Sequence, residues 1–486
     1  MAFNSFIFAL AFLPVCVAGY FALNKLNNKD AGIAFLLVMS LCFYAYSSLE
    51  CLGLLLLSIC VNYAFHTDIV KNTDSGRRKA VLVISLVFNI GLLLYFKYCN
   101  FFIDNIRLVF KVSISERNII VPLGISFFTF SQISFIIDTY RGDTARCGFL
   151  NYALFVAFFP KMVAGPIVMS DSLIPQFDDG QRKTVSWDNI SSGLFLFSMG
   201  LAKKVILADT FGAAADIGFS VVGWLNPLES ALTMLFYTIQ IYFDFSGYSD
   251  MALAVAKMLN FDLPVNFNSP YKSLTIVDFW KRWHISLTKF FTRYLYIPLG
   301  GNRNGRAKTI VNTLIVFLVS GFWHGANWTF VVWGLAHGLF YALTKTQEKF
   351  FRRIPSVINW IITFTFVNCA WTVFRAETIP EAFTLISKAF TFRYGGGIRP
   401  DIFSCFTLPE FSAVFGSLLG IDVASLPLCM IGFLAASALI ILLFKNAKEL
   451  ADGMKPGALT VIATVFLLCW SVFSFYGVTN FVYAKF

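Results

Sequence analysis

Long apolar runs, broken by short polar stretches, are the dominant pattern of this chain. They cover roughly residues 5–23, 31–49, 51–65, 80–97, 119–137, 148–166, 191–208, 225–243, 309–324, 326–344, 356–374, 423–444 and 457–476. About 20 helical residues span a hydrocarbon layer roughly 30 Å thick, so each run reads as a membrane helix. Several carry Pro, Gly or Lys inside the run, which lowers the expected number of full crossings. The pattern predicts an all-α polytopic membrane protein with about 11 to 13 transmembrane helices plus re-entrant segments. Residues 171–188 and 393–401, rich in Asp, Pro and Gly, read as exposed loops.

Composition agrees: 57% of residues are apolar, 13% are charged and 17% are aromatic, with 57 Phe, and a soluble protein of 486 residues would not carry so much apolar surface. The net charge of +11 suits basic cytoplasmic loops facing anionic lipid, and no soluble basic face suggests nucleic acid as a partner. Lys25 and Lys29 follow the first run while nothing basic precedes it, which predicts an outward N-terminus. Lys71, Arg77, Arg78 and Lys79 then fall on the cytoplasmic side. The first run lacks a basic leader and a small-residue cleavage site, so it reads as a helix that stays. Ten cysteines form no CxxC pair and sit mostly in apolar runs, which reads as core packing with no metal site. No internal repeat or long linker is visible, so a single membrane domain over residues 1–486 is expected.

Two segments depart from the hydropathy in ways that suggest chemistry. Residues 309–344 contain no Asp, Glu, Lys or Arg, yet their middle reads Ser320 Gly321 Phe322 Trp323 His324 Gly325 Ala326 Asn327 Trp328. A histidine held in hydrocarbon costs free energy unless it has partners or a task. His324 lies about sixteen residues beyond Lys308, roughly 24 Å along a straight helix, and Gly321 and Gly325 predict a bend or break there. The second segment, residues 244–308, gathers carboxylates, amides, cations and His284 in a chain otherwise short of them. Irregular polar backbone at membrane depth is tolerated only where it lines a cavity or packs on protein.

These residues resemble the membrane-bound O-acyltransferases, in particular the bacterial branch of alginate O-acetyltransferase and its peptidoglycan- and cellulose-modifying relatives. The matching pieces are residues 159–167 (Phe159 Pro160 Lys161 to Ile167), 244–250, 268–273, 279–287, 294–303 and 320–330, in the family's order and spacing. The resemblance implies helices around a funnel with paired histidines at its waist, a motif core over residues 159–330, His324 as the principal catalytic histidine and His284 as the second. The chain departs from many relatives in having Thr292 and Arg293, rather than Arg and Asp, before Tyr294, which puts any role of that acid in doubt.

The reaction itself makes demands that the residues can be weighed against. Transfer of an acyl group from a thioester to a hydroxyl needs a base for the proton and donors for the developing oxyanion. Imidazole, with an unperturbed pKa near 6.5, suits the first task. His324 takes that role, while Trp323 and Asn327 have N–H groups to orient a carbonyl or line the funnel. His284, beside Lys281 and Arg282, is placed to position the donor or carry a proton, with Arg282 and Asn268 as further substrate-binding candidates. The blander readings are an interfacial belt for Trp323 and Trp328, a solvated edge for Lys281 and Arg282, and satisfied core residues for His66 and His337.

The ending Phe481 Val482 Tyr483 Ala484 Lys485 Phe486 resembles the tail of the small membrane peptide that assists teichoic acid D-alanylation, where a tyrosine is proposed to carry the acyl group. Tyr483 is therefore a candidate acyl relay, with an aromatic interfacial anchor as the simpler reading. The resulting expectation is a multi-pass protein of the bacterial inner membrane that takes acetyl groups from cytoplasmic acetyl-CoA, with no bound cofactor. The acceptor is an extracytoplasmic polysaccharide or a partner extracytoplasmic acetyltransferase. D-alanyl transfer to teichoic acid from a carrier protein, and a polysaccharide or lipid transporter without chemistry, are the alternatives.

Overall fold

The computed structural model describes residues 1–26, 28–144, 147–391, 395–406, 427–475 and 481. These are helices and connecting segments with no β-strand among the described residues. Among the described residues, five helical stretches are long and apolar enough to cross a membrane: Leu49–Lys71, Ser75–Phe110, Trp187–Ser220, Gly305–His324 and Ser356–Arg375. Four shorter apolar ones, Phe8–Leu23, Ala31–Ala45, Leu428–Leu442 and Ala458–Phe473, accompany them. With its five long apolar helices, the chain is a multi-pass membrane protein.

The chain packs as two compact units. The first comprises residues 1–197 and 251–265. In it, α1 (Leu49–Lys71), α2 (Ser75–Leu93) and α3 (Ile125–Arg141) are joined by buried amide and hydroxyl contacts. Ser58 donates to Gln132 at 2.8 Å, Asn62 and Asn89 exchange hydrogen bonds at 3.2 and 2.7 Å, and His66 Nδ1 lies 3.0 Å from the Thr139 hydroxyl. Polar side chains on lipid-embedded helices find partners across helix interfaces in this way. His66 thus has the character of a satisfied core residue. Lys161 is similarly buried, donating to the Ser131 hydroxyl at 2.9 Å with its ammonium 4.4 Å from the Phe155 ring centre.

The second unit comprises residues 198–250 and 266–486. Its elements are the end of α4 (Trp187–Ala202), a π turn (Lys203–Ala208), α5 (Asp209–Ser220), most of α6 (Pro227–Met258), the short α7 (Ile276–Arg282) and α8 (Ile285–Phe291), then α9 (Gly305–His324), α10 (Trp328–Thr346) and α11 (Ser356–Arg375). Two sites of close backbone approach shape it. A Cβ at Gly321 would lie 2.3 Å from the Phe330 carbonyl oxygen, and one at Gly334 would lie 2.4 Å from that of Phe317, so α9 and α10 touch backbone to backbone. A Cβ at Gly247 would sit 2.7 Å from the Gly200 oxygen, bringing α6 against the end of α4.

Several boundaries differ from the hydropathy pattern. Residues 244–250 belong to the helix α6 and do not interrupt it, because their acids are matched by lysines and need no irregular backbone to be satisfied. The segment expected as one span over 148–166 is two helices, Phe149–Ala157 and Phe159–Met162, broken at Phe158 (φ −54°, ψ 106°), just before Pro160. The stretch read as a loop at 171–188 contains the helix Ser170–Asp178, begun by a polar turn and not by an apolar period.

Candidate functional site

His284 occupies the single left-handed position (φ 45°) between α7 and α8. Few non-glycine residues adopt this conformation, and the cost of order 1–2 kcal/mol is borne where the surroundings dictate it. Here the extended segment before α7 supplies that dictation. Asn266 is fully buried, its backbone oxygen accepts from Ile285 N–H at 3.0 Å, and its side-chain oxygen accepts from the Ser286 hydroxyl at 2.6 Å. Its amide in turn donates to the Ser249 hydroxyl of α6 at 3.3 Å, and Asn268 N–H donates to the Arg282 oxygen at 2.9 Å. The turn that carries His284 is therefore tied to α6 on one side and to this segment along its length.

His324 is the last residue of α9, and the extended Gly325 ends the helix there. The expected break near Gly321 and Gly325 is thus a clean helix end at the histidine itself. The close crossing of α9 and α10 fixes its position. Its ring centre lies 4.8 Å from that of Trp323, 5.1 Å from Trp333 and 5.3 Å from Phe374, all three edge-on. Trp323 neighbours both histidines, its ring centre 6.4 Å from that of His284. Phe245 of α6 closes the other flank of His284 at 4.8 Å. Both imidazoles are buried, and burial pushes that of His284 down, to about 3.

The candidates drawn from the sequence separate into two groups. His284, Trp323 and His324 come together in one buried aromatic setting, and Trp323 is buried while Trp328 is 53% exposed. Asn327 caps α10, accepting from Thr329 N–H at 3.1 Å, and its amide donates to the Glu377 oxygen at 2.9 Å. Arg282 Nε lies 3.0 Å from both oxygens of Asp278, and the exposed Asn268 accepts from the Asn446 amide at 3.2 Å. These three polar residues serve the local fold in the contacts they make. His337 accepts from the Trp280 indole at 3.2 Å, within the same aromatic cluster as Trp333 and Trp371. Tyr483 lies outside the described residues.

A charge network beside this setting was not singled out as a unit in the sequence. Lys204, in the π turn, is buried between Asp244 at 2.6 Å and Asp209 at 2.7 Å, and the neighbouring Lys203 pairs with Asp250 at 2.6 Å. The signal was present as two lysines inside an apolar run, and paired ions at membrane depth mark functional regions. Phe481 packs over it, 4.8 Å from the Lys204 ammonium and 4.4 Å from the Tyr248 ring. Tyr248 lies one helical turn along α6 from Phe245, which touches His284.

Comparison with known proteins shows the family of the chain. The membrane-bound O-acyltransferase family profile matches residues 40–378. The chain is 41% identical over 416 residues to a peptidoglycan O-acetyltransferase of Helicobacter pylori, covering 79% of each chain. It is 38% identical over 403 residues to a probable alginate O-acetylase of Pseudomonas aeruginosa, covering 81% of this chain and 75% of that one. A teichoic acid D-alanyltransferase of Bacillus subtilis is 27% identical over 283 residues, 54% of this chain and 70% of that one. The chain belongs to the membrane-bound O-acyltransferase family and is an O-acyltransferase of the membrane.

Proposed function

We propose that the protein acetylates an extracytoplasmic polysaccharide of the alginate, cellulose or peptidoglycan type, drawing acetyl groups from acetyl-CoA at the cytoplasmic face of the bacterial inner membrane. The observation that carries this reading is the meeting of His284, Trp323 and His324 at one buried aromatic site. The higher identity to O-acetyltransferases than to the D-alanyltransferase supports acetyl over D-alanyl.

In the proposed step, the neutral His324 imidazole takes the proton of an acceptor hydroxyl as its oxygen attacks the thioester carbonyl. The C–O bond forms, the C–S bond breaks, and the imidazolium returns the proton to the departing CoA thiolate. The negative end of the α9 dipole lies at His324 and favours the positive charge formed there. His284, buried and neutral, and the indole N–H of Trp323 face the carbonyl side, and exclusion of water by the aromatic wall strengthens each of these polar contacts. The first acceptor is a sugar hydroxyl, a hydroxyl on a partner extracytoplasmic acetyltransferase, or Tyr483 as a relay. Proteoliposomes loaded with radiolabelled acetyl-CoA test the donor: external acceptor should gain label. Label that stays inside while a D-alanyl carrier supports transfer would overturn the acetyl reading.

A further inference from the structure

A short helix, α12 (Ile379–Ala389), follows α11 after three residues and is begun by a capping box of Thr378 and Glu381. Its 11 residues rise about 16 Å, roughly half the hydrocarbon thickness, so it does not cross the membrane. Lys349, Arg352 and Arg353 place the start of α11 on the cytoplasmic side. One crossing by α11 then leaves α12 on the extracytoplasmic side.

Three lines of side chains run along α12, each joining residues about two turns apart. Ala382 and Ala389, with Leu385 beside them, are buried in the protein. Phe383 and Phe390, about 100° further round, are 57% and 44% exposed. Thr384 and Thr391, about 100° further again, are exposed and polar. One exposed ring is ordinary, but two in line between a protein face and a polar face call for an apolar neighbour. The turn beside α12 carries a third ring. Lys388 donates to the carbonyls of Val222, Gly223 and Leu225 at 2.9, 2.7 and 3.2 Å, and Trp224 within that turn is 84% exposed. Indole rings favour the headgroup level of a membrane.

We infer that α12 lies in the extracytoplasmic membrane–water interface, with Phe383, Phe390 and Trp224 among the lipids and Thr384 and Thr391 toward water. The same placement sets the depth of His324. The Asn327 amide donates to the oxygen of Glu377, two residues before α12, and His324 lies three residues before Asn327, at most about 11 Å of chain. Given the extracytoplasmic acceptor proposed above, a hydrophilic chain then reaches His324 from the membrane surface without entering hydrocarbon.

The test is photolabelling of the full chain in vesicles of phosphatidylethanolamine and phosphatidylglycerol, with p-benzoylphenylalanine in place of Phe383 or, in a second protein, of Thr384. Peptide mass spectrometry reads the adducts without turnover, so the outcome is independent of acyl donor and acceptor. Phospholipid adducts at Phe383 and none at Thr384 are expected. No lipid adduct at Phe383, or equal adducts at the two positions, would overturn the inference. In native membranes, a protein adduct at Phe383 in place of lipid would overturn it in favour of a docking partner.

Discussion

His324 ends a helix in a wall of aromatic rings, and that placement suits its imidazole to the proposed role of proton carrier in a dry setting. Replacing it with alanine removes the base and should cut transfer by about 100-fold or more, the usual scale for a lost general base, read as acetyl transfer per unit of membrane protein. His284 answers to a different measurement. Its folded value of about 3 lies below the ordinary 6.5, so the unfolded chain binds a proton that the folded chain refuses. Stability from this residue is full above about pH 6.5 and is lost as pH falls from there toward 3. Thermal unfolding in detergent should therefore show a lower Tm at pH 5 than at pH 7, with a smaller difference in His284→Gln. Equal differences in the two proteins would show that the ring is not held neutral by burial.

Two contacts between elements decide where the histidines stand. The backbone contact of α9 with α10 at Gly321 and Gly334 leaves no room for a side chain. Gly321→Val should force the helices apart, at a cost of about 1–3 kcal/mol for overpacking, and reduce transfer although His324 is unchanged. A circular dichroism melt beside the activity assay checks both effects. Asn266 does the equivalent work for His284, closing three hydrogen bonds between α6 and the α7–α8 turn. Asn266→Ala keeps the backbone bond to Ile285 but removes the side-chain partner of the Ser249 and Ser286 hydroxyls, about 1–3 kcal/mol for each, and should lower kcat with little change in KM for the donor. The sequence points to Asn268, two residues away, by its place in a family motif. Only the folded turn shows that Asn266 is the one buried in it.

Across the whole molecule, the fold class was readable because hydropathy acts over twenty residues at a time and needs no knowledge of neighbours. His324 stands out for a related reason, since a polar ring is conspicuous in a charge-free apolar run, whereas His284 is picked out by its family motif. What could not be read was assembled from distant segments. Phe245, Trp333 and Phe374 converge on the histidines from three helices, and no local pattern distinguishes them from the other aromatic residues of the core. The Lys204 network was hidden for the opposite reason, since its acids look like a break in α6 until the lysines of the π turn are placed against them. Lys204→Met takes the cation away from the buried Asp244 and the half-buried Asp209, and losing one partner of a buried pair costs about 3–5 kcal/mol, so the variant should be recovered from membranes at much reduced level.

Catalysis by His324 within this buried aromatic site is the central claim, and cell-envelope ester analysis tests it directly. Cells lacking the protein are complemented with wild type or with His324→Ala at equal membrane level, and base-released acetate is measured from the isolated envelope polysaccharide. Acetate at the level of the deletion strain is the predicted result for the variant; acetate at the wild-type level would contradict the account.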